Sequence, residues 1–315
     1  MSYLTKYGSF WGDIPKTSGR VYWVAPAASY TIEGRTYIAS DGNDGLSPER
    51  ALLTLDRCFD SGFCSANVGD VIVLLPGAHS YTATVAVDIA GVTITGLPRG
   101  SDTGTAVRGA GSLRHASSIT STANVLTISA ANVEVAYLHI IPPAALAGIT
   151  ISSTAAVNAN LHDLTFLMTT AADTATFGIQ ATAVADRTRI ANCYAFVSDN
   201  QGPWVRTAAG FTNTVIENST VMLDGTTAWD TVIEITTGSD NVVIRDCDFI
   251  HGTGALMTVI IDVTGNTTDH AVAVMRCMHG VASVLTTATA TSDIVLCNNY
   301  ISTIRGGTGG TLSTG

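Results

Sequence analysis

The chain has 315 residues, of which 46% are hydrophobic and only 13% charged, with a formal net charge of −10. A balance of this kind folds rather than staying disordered. It offers no basic patch to neutralise phosphates, which argues against nucleic acid as a partner, and no apolar run of the roughly 18 residues a membrane helix needs.

Residues 1–37 stand apart. They hold the only two lysines, Lys6 and Lys16, and a concentration of aromatics: Tyr3, Tyr7, Phe10, Trp11, Tyr22, Trp23, Tyr30 and Tyr37. An aromatic-rich segment with little repeat of its own packs on something else. We read it as an assembly arm anchored by Tyr3, Tyr7, Phe10, Trp11, Tyr22 and Trp23, with a cap over the end of the fold as the alternative. The start, Met1 to Lys6, lacks the apolar core of a secretory leader, so assembly in a cytosol is expected.

Residues 38–68 read as a turn and a cap helix. Asp41-Gly42 and Asn43-Asp44-Gly45 are turn signals. Ser47 suits a helix N-cap, Pro48 the first helical position and Glu49 the first turn. Ala51, Leu52, Leu55 and Phe59 follow a helical period, which predicts a short helix over 48–60. The spacing of the acidic loop does not match a hand-type calcium site, and Cys58 and Cys64 match no zinc motif, so no metal or cofactor is expected.

From Gly69 to about residue 305 the chain alternates short Val/Ile/Thr strands with Gly, Asn and Asp turns. One phrase returns: an aliphatic residue, then Asn or Asp two positions on, then small and apolar residues. Its clearest copies lead with Leu161, Ile190, Ile216 and Ile244, and looser ones with Val135, Val274 and Leu296, at intervals of 22 to 30 residues. A period of this size means one unit stacked many times. The dense Leu framework of a leucine-rich repeat is absent, propeller blades are longer, and the Gly-Gly-x-Gly-x-Asp of a calcium-binding roll does not occur. The pattern predicts an all-β fold, a right-handed parallel β-helix of about nine coils and roughly 40 Å in length. Cys193, Cys247 and Cys277 share one phase and are expected inside as small hydrophobes. Asn192, Asn218 and Asp246 suit a turn whose side chains bond the neighbouring coil. Residues 306–315 form a Gly-rich tail expected to be flexible.

The segment from Ser40 to Glu49, then Leu52-Leu53-Thr54-Leu55, then Gly69-Asp70-Val71-Ile72-Val73-Leu74-Leu75-Pro76-Gly77, resembles the opening of pectin-lyase-like β-helix proteins. With its aromatic arm and no leader, the chain is also similar to tailspikes and tailspike-like capsid decoration proteins of tailed bacteriophages. That resemblance implies a homotrimer in a virion, assembled in the host cytoplasm, with the major capsid protein or another virion protein as partner and a surface glycan as a further one.

Enzymes of that fold class cut glycans with clustered carboxylates or with a basic residue. Glu234 and Asp262 align between the units Val232-Ile233-Glu234 and Ile260-Ile261-Asp262 and form the best acidic pair for hydrolysis. A solvated or inter-subunit acidic patch is the competing reading. Asp246 and Asp248 are two apart and expected on one face, while Glu217 and Arg245 are expected to stack as a surface ion pair. Arg206, Arg245 and Arg276 sit in no lyase motif, and His139, His162, His251 and His279 read as surface or turn residues. Trp204 and Trp229 each follow an Asp by five residues, one coil apart, and so are expected one above the other, as a subunit contact, a sugar platform or interior packing. No phosphate loop or nucleophile elbow occurs. The expected function is a non-enzymatic virion protein, a trimeric β-helix that decorates the capsid and is held by its arm. The alternative is a tailspike or tail-fibre protein that binds or degrades host polysaccharide.

Overall fold

The computed structural model describes residues 19–32, 34–97, 115–169, 176–198, 201–223, 228–236, 238–251, 257–263, 272–280, 284–288 and 294–302. Nearly all regular structure in them is parallel strand. Three long sheets wrap one interior, with ten strands in sheet I, nine in sheet II and eight in sheet III. From Val71 onward each coil visits them in the same order. Asn160–His162 lies in sheet I, Thr165–Met168 in sheet II and Phe177–Ala181 in sheet III, and Arg189–Ala191 then returns to sheet I one rung along. This is a parallel β-helix, wound in the right-handed sense that parallel crossovers take.

The repeated phrase lies on sheet I. Val135, Leu161, Ile190, Ile216, Ile244, Val274 and Leu296 pair in register, each with the next. The same column runs back through Ile94 and Ile72 to Tyr22. Stacking one aliphatic residue on its equivalent in the next coil keeps the interior close-packed from rung to rung. Cys193, Cys247 and Cys277 are buried beside this column.

The Asn or Asp in the phrase has a backbone reason. Asp163, Asn192, Asn218 and Asp246 sit at φ of 51°, 53°, 49° and 55°, the left-handed region that short polar side chains tolerate best. Their expected side-chain bonds to the next coil's backbone are replaced by main-chain ones. Asn192 N–H donates to Glu217 O at 3.1 Å and Asn218 N–H to Arg245 O at 3.1 Å. A side-chain ladder exists instead at the corner between sheets III and I. There Asn158 donates to Asn132 at 2.8 Å and Asn241 to Asn213 at 2.9 Å.

Two boundaries are corrected. Val21–Val24 is the first rung of sheet I, paired with Val71–Leu74, and Tyr22 and Trp23 are buried. The β-helix thus includes residues assigned to the arm, whereas Tyr3, Tyr7, Phe10 and Trp11 lie outside the described residues. Over 48–60 there is no continuous helix, only two 3-10 turns, Pro48–Arg50 and Asp56–Phe59. Leu52 breaks the run. Its N–H donates to Trp23 O at 2.8 Å and its carbonyl accepts from Ala25 N–H at 2.9 Å, as a short piece of strand. Asp41 then takes the N–H groups of Leu53 and Thr54 at 3.0 and 2.9 Å. Leu52, Leu55 and Cys58 are fully buried, and Phe63 packs on Tyr22 with ring centroids 5.8 Å apart, so this segment closes the first coil. The Gly-rich tail at 306–315 falls outside the described residues.

Candidate functional site

Alternation along each strand turns every second side chain outward. On sheet III one outward column reads Thr127, Thr150, Gln180, Arg206, Glu234, Asp262 and Thr287, all in register on successive coils. The two carboxylates expected to align therefore do so, and Arg206 stands one rung before them. Arg206 Nε is 3.2 Å from Glu234 Oε2, and its guanidinium carbon lies 5.0 Å from the Phe177 ring centre. That ring supports the cation from below. Asp262 Oδ1 accepts from Thr287 Oγ1 at 2.9 Å, which orients the second carboxylate.

The Glu234 carboxyl is pushed above its ordinary range. Burial is the leading cause; the Arg206 charge opposes it and the Asp262 charge adds to it. Glu234 retains 26% side-chain exposure and Arg206 34%, so both are screened from bulk water yet within reach of a ligand. A proton-retaining carboxyl beside a second, hydroxyl-oriented one is the arrangement that separates acid from base roles.

Glu217, Arg245, Asp246 and Arg276 are taken up in ion pairs. On sheet I, Glu217 is almost covered, at 8% side-chain exposure, and takes Arg189 at 2.7 Å and Arg245 at 2.5 Å from opposite sides. Arg276 pairs with Asp246 at 2.7 Å. Asp246 lies in the left-handed turn and Asp248 on the following strand, so they do not form a common acidic face. The histidine expectation is also corrected. His139, His251 and His279 are buried. His162 is held between Glu134 Oε1 at 3.0 Å and Asp163 Oδ2 at 2.8 Å. Hydrogen bonding to Glu134 is the largest influence raising the His162 imidazole above its usual value, against burial.

Trp204 and Trp229 are both fully buried. Neither offers a face to a glycan or a second subunit, which removes both from the candidate contacts. Nor are they stacked. Val205 pairs with Ile233, which puts Val232 opposite Trp204, while the Trp229 indole N–H donates to Gln201 O at 2.9 Å. Trp204 instead meets Phe166 edge-on, with centroids 6.4 Å apart. Among the described residues no group of three or more His, Cys, Asp or Glu is placed to hold a metal ion. A pocket at the first coil, lined by Arg20, Phe63, Val68 and Asp70, lies several rungs from the carboxylate pair.

Fold and wall together define a parallel β-helix that carries an Arg–Glu–Asp column on one face. No protein-family model matches the chain, and no curated protein does. Among solved structures it is similar to a pectin methylesterase in complex with a hexasaccharide, with a TM-score of 0.56 at 9% identity over 93% of this chain and 92% of that one. A mutant pectin methylesterase bound to another hexasaccharide gives 0.55 at 9% identity, covering 93% and 92%. The pectin methylesterase of Aspergillus niger gives 0.51 at 13%, covering 91% and 87%. Identities this low establish the shared fold. The expectation of a non-enzyme is corrected by the same comparison, in which the solved structures that share the fold are named as enzymes, pectin methylesterases.

Proposed function

We propose that this chain acts on a polysaccharide, hydrolysing a linkage at the Arg206–Glu234–Asp262 column. The observation that carries the reading is the register pairing of Glu234 with Asp262 next to Arg206. Adjacent strands about 4.8 Å apart bring two outward carboxyls to the order of 5 Å, the spacing at which one can attack while the other donates a proton. Glu234, which keeps its proton to higher pH, protonates the leaving oxygen. Asp262, steered by Thr287, attacks the anomeric carbon, and the sugar–oxygen bond breaks as the ester forms. Water then cleaves that ester with Glu234 as base, returning both carboxyls to their starting state. Arg206 neutralises negative charge beside the reacting bond. Support from outside the chain is the fold held in common with enzymes bound to hexasaccharides.

The test is release of reducing ends from a panel of purified polysaccharides, compared with Glu234→Gln and Asp262→Asn. Turnover abolished by both substitutions supports the reading; turnover untouched by either sinks it. A finer reading makes the protein a trimeric tailspike-type component of a bacteriophage virion whose substrate is a host-surface glycan and whose attachment partner is another virion protein. It rests on the likeness of residues 40–77 to pectin-lyase-like proteins and on the aromatic content of residues 1–37. Localisation by electron microscopy of labelled particles tests it, and absence from purified virions would refute it.

A further inference from the structure

The outward side of sheet II differs from the other two. Leu167, Phe196, Met222 and Ile250 are register partners on four successive coils. Each lies between two inward, buried neighbours, as Phe196 does between Ala195 and Val197. The four are part-exposed, Ile250 the most at 40%. Tyr194 extends the stripe, its hydroxyl donating to Met222 Sδ at 3.1 Å.

Charge sets this face apart. The nine strands of sheet II contain one Asp, Glu, Lys or Arg residue, Asp248. Sheet I carries Glu134, Arg189, Glu217 and Arg245, and sheet III carries Arg206, Asp230, Glu234 and Asp262. Depletion of charge, with Phe, Met and Tyr in its place, is the composition of an interface centre. A row of apolar side chains on neighbouring coils is also a contiguous patch rather than a scatter of single residues.

We propose that sheet II is a self-association face, on which a second copy of this chain packs side by side, stripe against stripe. Two properties select a copy over another partner. The first is pitch. Side chains on the stripe recur every 4.8 Å or so, and only a surface with the same repeat sets its own side chains between them along the whole length. The second is charge. Two chains of net charge −10 repel one another, and sheet II is the long face on which they meet with the fewest like charges. The inference does not depend on the proposed hydrolysis, since the Glu234–Asp262 pair lies on a different sheet.

The experiment is sedimentation velocity on the full chain at micromolar concentration. It compares the native sequence with the double variant Phe196→Glu, Ile250→Glu and with Val243→Glu on sheet I as the control. The native chain and the control are expected to sediment as a multiple of 32.6 kDa, and the double variant as a single chain with an unchanged β-sheet circular dichroism spectrum. A monomeric native chain overturns the proposal, as does a double variant that stays associated. If the double variant fails to fold, Ile250→Cys in a Cys297→Ser background, which removes the exposed native thiol, decides with a short bis-maleimide: covalent dimers support the proposal, and their absence overturns it. Should the native chain be monomeric and bind oligosaccharides in a Phe196-dependent way, the stripe is a glycan surface and not a self-contact.

Discussion

Glu234 and Asp262 are register partners on adjacent parallel strands and face the same way from the wall of the β-helix. Their environments differ. Burial and the neighbouring negative charge hold Glu234 protonated to higher pH, while Asp262 takes a hydroxyl hydrogen bond from Thr287. Activity that needs Glu234 as an acid falls as pH rises through its raised value. Glu234→Gln should cost about 100-fold in kcat and remove that alkaline limb. A pH–rate profile of native protein and variant checks both, and a limb that survives in the variant assigns the proton to another group.

His162 supplies a stability test that runs in the same direction with pH. Its folded value lies above the unfolded one because it bonds Glu134 and Asp163. The contribution is fully present below about pH 6.5, the unfolded value, and disappears as pH rises through the folded value. His162→Gln should therefore lower Tm in mildly acidic buffer and leave it nearly unchanged at alkaline pH. Equal losses at both ends would show that the ring acts through packing alone.

Glu217 is the acidic counterpart. Burial works to raise its carboxyl, and the hydrogen bonds from Arg245 and Arg189 overcome that and leave it below the usual range. Its stabilisation is present above the unfolded value of about pH 4.3 and is lost as pH falls through the folded one. Glu217→Gln should destabilise the neutral protein by about 2 kcal/mol, less than a fully buried pair because both arginines are part-exposed. Urea denaturation at neutral and at strongly acidic pH reads the difference, which should vanish in acid.

Position 218 tests the turn chemistry. At φ 49°, Asn218→Gly should be close to neutral, whereas Asn218→Val should cost about 1–2 kcal/mol from its Cβ alone. Chemical denaturation of the pair checks this, and equal effects would return the role to the side-chain amide.

Trp204→Ala tests the interior assignment. The indole is fully buried against Phe166, so truncation should cost about 3–5 kcal/mol. A loss of glycan binding without a loss of stability would restore the surface reading.

Much of this architecture could be read from residues because its corners impose a chemical demand. A left-handed turn follows the sheet I strand on each rung from Tyr137 to Asn298, Asn or Asp holds it at five of those seven, and so Asn192, Asn218 and Asp246 marked the register of sheet I. Trp204 and Trp229 were misaligned because coils vary in length between sheets. The coil joining them is longer than the spacing of their Asp-to-Trp steps, so equal spacing did not mean equal height. Arg206 went unpaired with Glu234 for the same reason. The helix over 48–60 failed where Leu52 found strand partners, a tertiary contact no local period records. The stripe on sheet II was hidden because Leu167, Phe196, Met222 and Ile250 look like core residues until the strand's alternation is known.

The pairing of Ile190 with Ile216 also makes the molecule's length editable. Removing residues 190–215 joins Arg189 to Ile216, and the incoming segment finds the same neighbours that the excised one had left. Shortening or lengthening by whole coils shifts the far end by about 4.8 Å per step and keeps both termini's surroundings, whereas a cut of half a coil sends inward groups out to water. Such a chain can be tailored to a required reach in discrete increments, with each increment folding on the template of the one before it.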